Sequence, residues 1–288
     1  MRQSTLRRGR FPPREWGGEA SERLARRSGL GHPVEVRWTM VTWVAWAVSM
    51  GARAASAEVG MHEGVPWPVI AAPVERPVPL PEVTEPPPPA PTRAGQKVVA
   101  LLGEIEGTLR ESSYQHTTTV RAREGVFNWD CSGMTAWILR RVAPGAMRGL
   151  AGRPVARDFA RVIARAPTER SRGGWRRIVR IDEVMPGDVF AWKRPRGWPS
   201  RNTGHVGFVV GRPMAVPGLP GGWAVRIADS SSFIHQNDTR KHDLDGGFGM
   251  GTMTFLVDAE GRVTHYGWAG TRSALYVVTE VQFGRVMP

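Results

Sequence analysis

Residues 127–137 read FNWDCSGMTAW and hold the only cysteine in a chain of 288 residues. The thiol stands between an aspartate and a Ser-Gly pair. Behind it Met134, Trp137, Ile138 and Val142 fall at i, i+3, i+4 and i+8, a helical stripe stopped by Pro144 and Gly145. Cys131 is therefore expected at or just before the first turn of a buried helix. A lone free cysteine is ordinarily a small hydrophobe, but this placement points to chemistry. The positive end of a helix dipole and its unpaired N–H groups favour a thiolate, and the N–H groups around Ser132 and Gly133 suit the oxyanion of an acyl intermediate. With no second cysteine, an internal disulfide is excluded.

Upstream, Val98, Leu101, Leu102, Ile105 and Leu109 recur at helical spacing, so a first amphipathic helix begins near residue 96, and a loop carrying Tyr114 follows it. Downstream, RPVARDFARVIARAP (153–167) predicts a third helix, with Pro154 at its first position and Val155, Phe159, Val162 and Ile163 as its stripe. After Gly173 the period becomes strand-like: RIVRIDEV, GDVFAWK, GHVGFVVG and GGWAVRIADSSS are β-rich runs separated by turn signals. A Gly-rich loop is expected at 246–251, a hairpin turning over Asp258–Gly261, and a last strand in ALYVVTEVQF (274–283). Helices followed by a meandering sheet make an α+β domain over residues 93–288.

The first 39 residues are rich in Arg, Gly and Pro without an apolar period and are expected to be disordered. Met40–Ala52 is an apolar run preceded by Arg37 and followed by Ala-Ser-Ala at 55–57, the pattern of a secretory signal peptide over residues 40–57. It is shorter than the roughly 20 residues that cross a bilayer, so export to the periplasm or beyond is expected, with no stable membrane insertion after cleavage. Residues 58–92 form a Pro-rich spacer with one Arg against five Glu. The following domain is basic, with 28 Lys plus Arg against 17 Asp plus Glu. For an exported protein the anionic partner is cell-wall polymer or lipid rather than nucleic acid.

A nucleophilic thiol needs a base. Of seven histidines, His32 and His62 lie outside the domain, leaving His116, His205, His235, His242 and His265. His205 stands apart because glycines flank it at the start of the strand GHVGFVVG. In WAVRIAD, alternation puts Trp223, Val225, Ile227 and Asp229 on one strand face, so Asp229 is driven to the core edge, where a buried carboxylate needs a partner such as His205. Asp229 also suits the start of the turn DSSS. Arg240 is a candidate for a substrate carboxylate. His235, Asp238 and His242 in HQNDTRKH have metal-ligand chemistry, but they are turn-prone residues, and neither a metal nor a cofactor is expected.

WDCSGMTAWIL, MPGDVFAW, TGHVGFVVG and IADSSS, in that order across residues 96–240, resemble the NlpC family of papain-like cell-wall cysteine peptidases. The resemblance implies a helix that carries the nucleophile packed on an antiparallel sheet. It implies Cys131 as nucleophile, His205 as base, Asp229 as third residue, and Tyr114 as an oxyanion or substrate contact, although Tyr114 lies 17 residues upstream of the cysteine. It further implies an exported, monomeric hydrolase that cuts amide bonds in peptidoglycan stem peptides. A non-catalytic wall-binding module, or an amidase or acyltransferase with another substrate, are the alternatives. Residues from 241 onward carry no resemblance.

Overall fold

In a computed structural model of the chain, residues 70–71, 78–82, 86–198, 201–240 and 246–288 are described. The Arg-rich extension, the signal segment and His242 lie outside the described residues. In chain order the elements are β1 (Ile70–Ala71), α1 (Arg93–Thr108), β2 (Glu111–Tyr114), β3 (Thr119–Arg121), β4 (Val126–Trp129), α2 (Cys131–Val142), α3 (Ala156–Ala164), β5 (Trp175–Ile178), β6 (Val189–Lys193), β7 (Gly204–Val209), β8 (Met214–Ala215), β9 (Gly222–Ser231), β10 (Gly247–Val257), β11 (Val263–Gly267), β12 (Tyr276–Val278) and β13 (Gln282–Val286). Few helices against large, mainly antiparallel sheets make the chain α+β.

The helices form where their apolar faces and caps permit. Thr92 caps α1 by accepting from the Gly95 N–H at 2.9 Å, and Val98, Leu102 and Ile105 turn inward. The carboxylate of Asp158 accepts from the Val155 N–H at 3.1 Å, so α3 begins at Ala156, after Pro154 rather than on it. The large sheet runs β1-β12-β11-β10-β9-β7-β6-β13-β5, with β8 attached to β9. Its centre is buried on both faces. Val189 and Ala191 of β6, with Val206 and Phe208 of β7, join the helical core. Phe190 and Trp192, with Val225 and Ile227 of β9, join a second core with Phe255 and Tyr266. Period-two alternation therefore sorts these strands between two apolar layers, and Asp229 shares the second face with Val225 and Ile227.

Three expectations change. The stretch around Tyr114 is no loop: β2 pairs in parallel with β4, Tyr114 opposite Trp129, and β3 completes a three-stranded sheet. This small sheet docks through Ser112, whose hydroxyl donates to the Phe127 carbonyl and accepts from the Phe248 N–H, both at 2.8 Å. The Gly-rich stretch is the start of β10, paired with β9 from Gly247 opposite Ser231 to Leu256 opposite Gly222. The expected last strand is two: β12 pairs with β11, while β13 crosses the sheet and inserts between β5 and β6. Ile70–Ala71, within the expected spacer, pairs with β12.

Candidate active site

Strand β4 delivers Cys131 to the first position of α2. Asp130 caps that helix: its Oδ1 accepts from the Gly133 N–H at 2.6 Å and from the Ser132 hydroxyl at 2.8 Å. A Cβ at Gly133 would collide with the Thr118 hydroxyl, which explains the small residue there. The free thiol is buried, and the backbone N–H groups of Val206 and Ser132 act on it in the direction that favours its charged form. The helix that Cys131 begins packs on β7, the strand of His205.

Burial pushes the Cys131 thiol far above its ordinary range, the carboxylates of Asp130 and Asp229 push the same way, and the two N–H donors offset only part of this. The thiolate expected from the helix start is thus not the resting form. Native Cys131 is expected to react with iodoacetamide at pH 7 at least tenfold more slowly than in the urea-unfolded chain. The sign follows from a raised pKa, which lowers the thiolate fraction at any pH below it. Equal rates in the two states would contradict it.

His205 follows Gly204, whose backbone sits at a φ of 136°. A Cβ there would strike the Trp192 carbonyl, so only glycine lets β7 begin this close to β6. The imidazole Nε2 lies 2.7 Å from Asp229 Oδ2. Since the carboxylate can only accept, Nε2 carries the hydrogen and Nδ1 keeps the lone pair a base requires. The rings of Trp192 and Trp268, with centroids at 5.1 and 5.0 Å, hold the imidazole from two sides.

Asp229 is fully buried and serves more than His205. Its Oδ2 also meets His235 Nε2 at 2.9 Å, and its Oδ1 accepts from Arg240 Nη2 at 3.2 Å. Burial would raise this carboxyl, but His235 and His205 outweigh it and hold the group well below the usual carboxylate range. The His235 Nδ1 lies 2.9 Å from the Trp268 carbonyl. Both partners of His235 are acceptors, so this ring is held between the carboxylate and a backbone carbonyl.

Arg240 does not face a substrate. It is buried, forks onto Asp238 with Nε at 2.8 Å and Nη2 at 2.6 Å, and donates through Nη1 to the Ser231 hydroxyl and the Gly247 carbonyl. The two buried carboxylates, Asp229 and Asp238, thereby share the guanidinium of Arg240, while His205 and His235 hydrogen-bond to Asp229. The alternating glycines of β10 make room for this cluster: a Cβ at Gly249 would strike Arg240 and Asp238, and one at Gly251 would strike His235. Gly249→Ala is expected to lower stability by about 1–3 kcal/mol through forced displacement of these groups, read from the midpoint of urea unfolding. The support from His235 and Asp238 escaped the sequence reading; glycine at every second position of a strand was the available signal.

Tyr114 reaches the site through its pairing opposite Trp129, two residues before the cysteine. Burial first, then the charges at Cys131, Asp130 and Asp229, raise its phenol well above the ordinary range, so it stays protonated and able to donate. With His205 it lines a cleft of about 370 Å³ walled by Trp192, Trp198, Tyr266 and Trp268. Among the described residues no group of three or more His, Cys, Asp or Glu could hold a metal ion. No family model, no curated protein and no solved structure matches the chain.

Proposed function

We propose that this chain is a papain-like cysteine hydrolase of the NlpC type. The observation that carries the reading is the buried His205–Asp229 pair, 2.7 Å apart, with the His205 strand packed against the helix that Cys131 begins. As substrate enters, His205 Nδ1 takes the thiol proton while the sulfur attacks the carbonyl carbon. The developing oxyanion is met by the Ser132 N–H and the Tyr114 hydroxyl. Collapse passes the proton from His205 to the leaving amine, leaving a thioester on Cys131. Water, deprotonated by His205, then releases the acid and restores the thiol. Asp229 keeps the imidazole in the required tautomer throughout.

The substrate that accompanies this reading is an amide bond in peptidoglycan stem peptides, reached outside the cytoplasm by an exported monomer. It rests on the four motifs in order and on the basic charge of the domain. Purified peptidoglycan digested by the full chain should yield fragments with new termini at a stem amide, identified by mass, and prior alkylation of Cys131 should abolish them. Unchanged cleavage after alkylation overturns the mechanism, and no stem product overturns the substrate. A second reading, hydrolysis or transfer of an acyl group on a more apolar substrate, is favoured by the aromatic walls of the cleft.

A further inference from the structure

The large apolar side chains exposed among the described residues are Phe233, 68% exposed, and Leu275, 50% exposed. They come from distant parts of the chain, after β9 and before β12, yet both line the cleft that contains His205. Apolar surface therefore continues from the exposed rim down the aromatic walls to the imidazole. Isolated exposed hydrophobes are ordinary, whereas a convergent pair at the mouth of an apolar cleft marks a contact surface.

The described residues that line this mouth carry no acidic side chain. The connection between β6 and β7 supplies Trp198 and Arg194 to the cleft lining and carries Arg196 and Arg201 in the same segment of chain, all three arginines exposed. None of the three is in an ion pair among the described residues, and no Asp or Glu lines the cleft. Aromatic rings with arginines form the kind of surface that settles at the headgroup level of a membrane, with indoles in the interface and guanidinium groups on phosphates. A sugar polymer would account for the aromatic walls but leaves Phe233 and Leu275 in water. Nucleic acid would account for the arginines but not for the aliphatic rim.

We propose that the mouth of the cleft is a docking surface for an anionic phospholipid bilayer, with Phe233, Leu275 and Trp198 entering the interface and the three arginines meeting phosphates. Binding is peripheral, and it places the cleft that holds His205 at the membrane face, where a lipid-borne amide or ester would enter. Docking does not depend on the catalytic reading, because it uses neither the thiol nor proton transfer.

The test is co-sedimentation of the full-length Cys131→Ala protein with vesicles of phosphatidylcholine and phosphatidylglycerol in equal parts. The same background then receives either Phe233→Ser with Leu275→Ser, or Arg196→Ser with Arg201→Ser. The N-terminal apolar run is common to all, so only differences between variants count, and thermal melts check that each is folded. The rim pair is expected to weaken binding at least tenfold. The arginine pair should weaken it about 25-fold, roughly fivefold per charge, with the loss vanishing on pure phosphatidylcholine. Rim or arginine variants that bind as well as the parent, or a parent that does not sediment with the vesicles, overturn the proposal. Failure of stem-peptide cleavage would leave this result untouched, and failure of docking would leave cleavage untouched.

Discussion

Cys131→Ala and His205→Ala are each expected to lower kcat on the cleaved substrate by about 10⁴- to 10⁶-fold, and the double variant by little more than the worse single one. The non-additivity follows from the geometry. Burial and two carboxylates push the Cys131 thiol towards its protonated form, so in the proposed mechanism the sulfur becomes a nucleophile only as His205 removes its proton. On that reading the thiol without the imidazole has no competent base, and the imidazole without the thiol has no proton to take. Residual rate then comes from the oxyanion donors and binding alone. Were the resting state a preformed thiolate, His205→Ala would leave a reactive sulfur. Single-turnover measurements on a labelled substrate would show that by an undiminished acylation burst, which would overturn the proposed mechanism. Additive losses in the double variant would likewise mean that the two residues act in separate steps.

How far the site could be read in advance differs from element to element, for physical reasons. Helices α1 and α2 announce themselves because one face of each carries the apolar residues: Val98, Leu102 and Ile105, then Met134 and Ile138, are all buried. Asp229 was legible because three bulky residues share its strand face. The small sheet was hidden. Its strands, Glu111–Tyr114 and Thr119–Arg121, are short and polar, and β2 exists only through pairing with β4 on the far side of β3. Such pairing is non-local and leaves no periodicity in so few residues. Tyr114 therefore looked distant from Cys131, although strand pairing removes the separation. Strand β10 was hidden for the opposite reason, since glycine ordinarily marks a turn. Here Gly249 and Gly251 make room for a polar cluster that no local pattern encodes, and Gly247 for the close approach of Ser112. Arg240 looked free for a substrate, whereas Asp238 folds back onto it, accepting from the Arg240 N–H at 2.9 Å, a contact set by a turn and so invisible in the spacing.

That cluster sets the second large effect. Arg240→Met keeps the volume of the side chain but removes its charge and leaves Asp238, Asp229, the Ser231 hydroxyl and the Gly247 carbonyl short of donors in a buried site. Two buried carboxylates would then have lost the guanidinium they share. Removing one member of a buried ion pair costs about 3–5 kcal/mol, which for a folded region of this size is a fall in Tm of roughly 6–20 °C. Adding Asp238→Asn to Arg240→Met offsets this, because one carboxylate leaves together with the guanidinium. The double variant is expected to recover most of the lost Tm, a coupling that a thermal-melt cycle over the four proteins measures directly. A purely steric role for Arg240 predicts the reverse, with two disturbances worse than one. The same cluster supports the role proposed for Asp229: its charge is already answered by Arg240 and its Oδ2 is also bonded to His235, so it can orient the His205 imidazole as the proposed base requires.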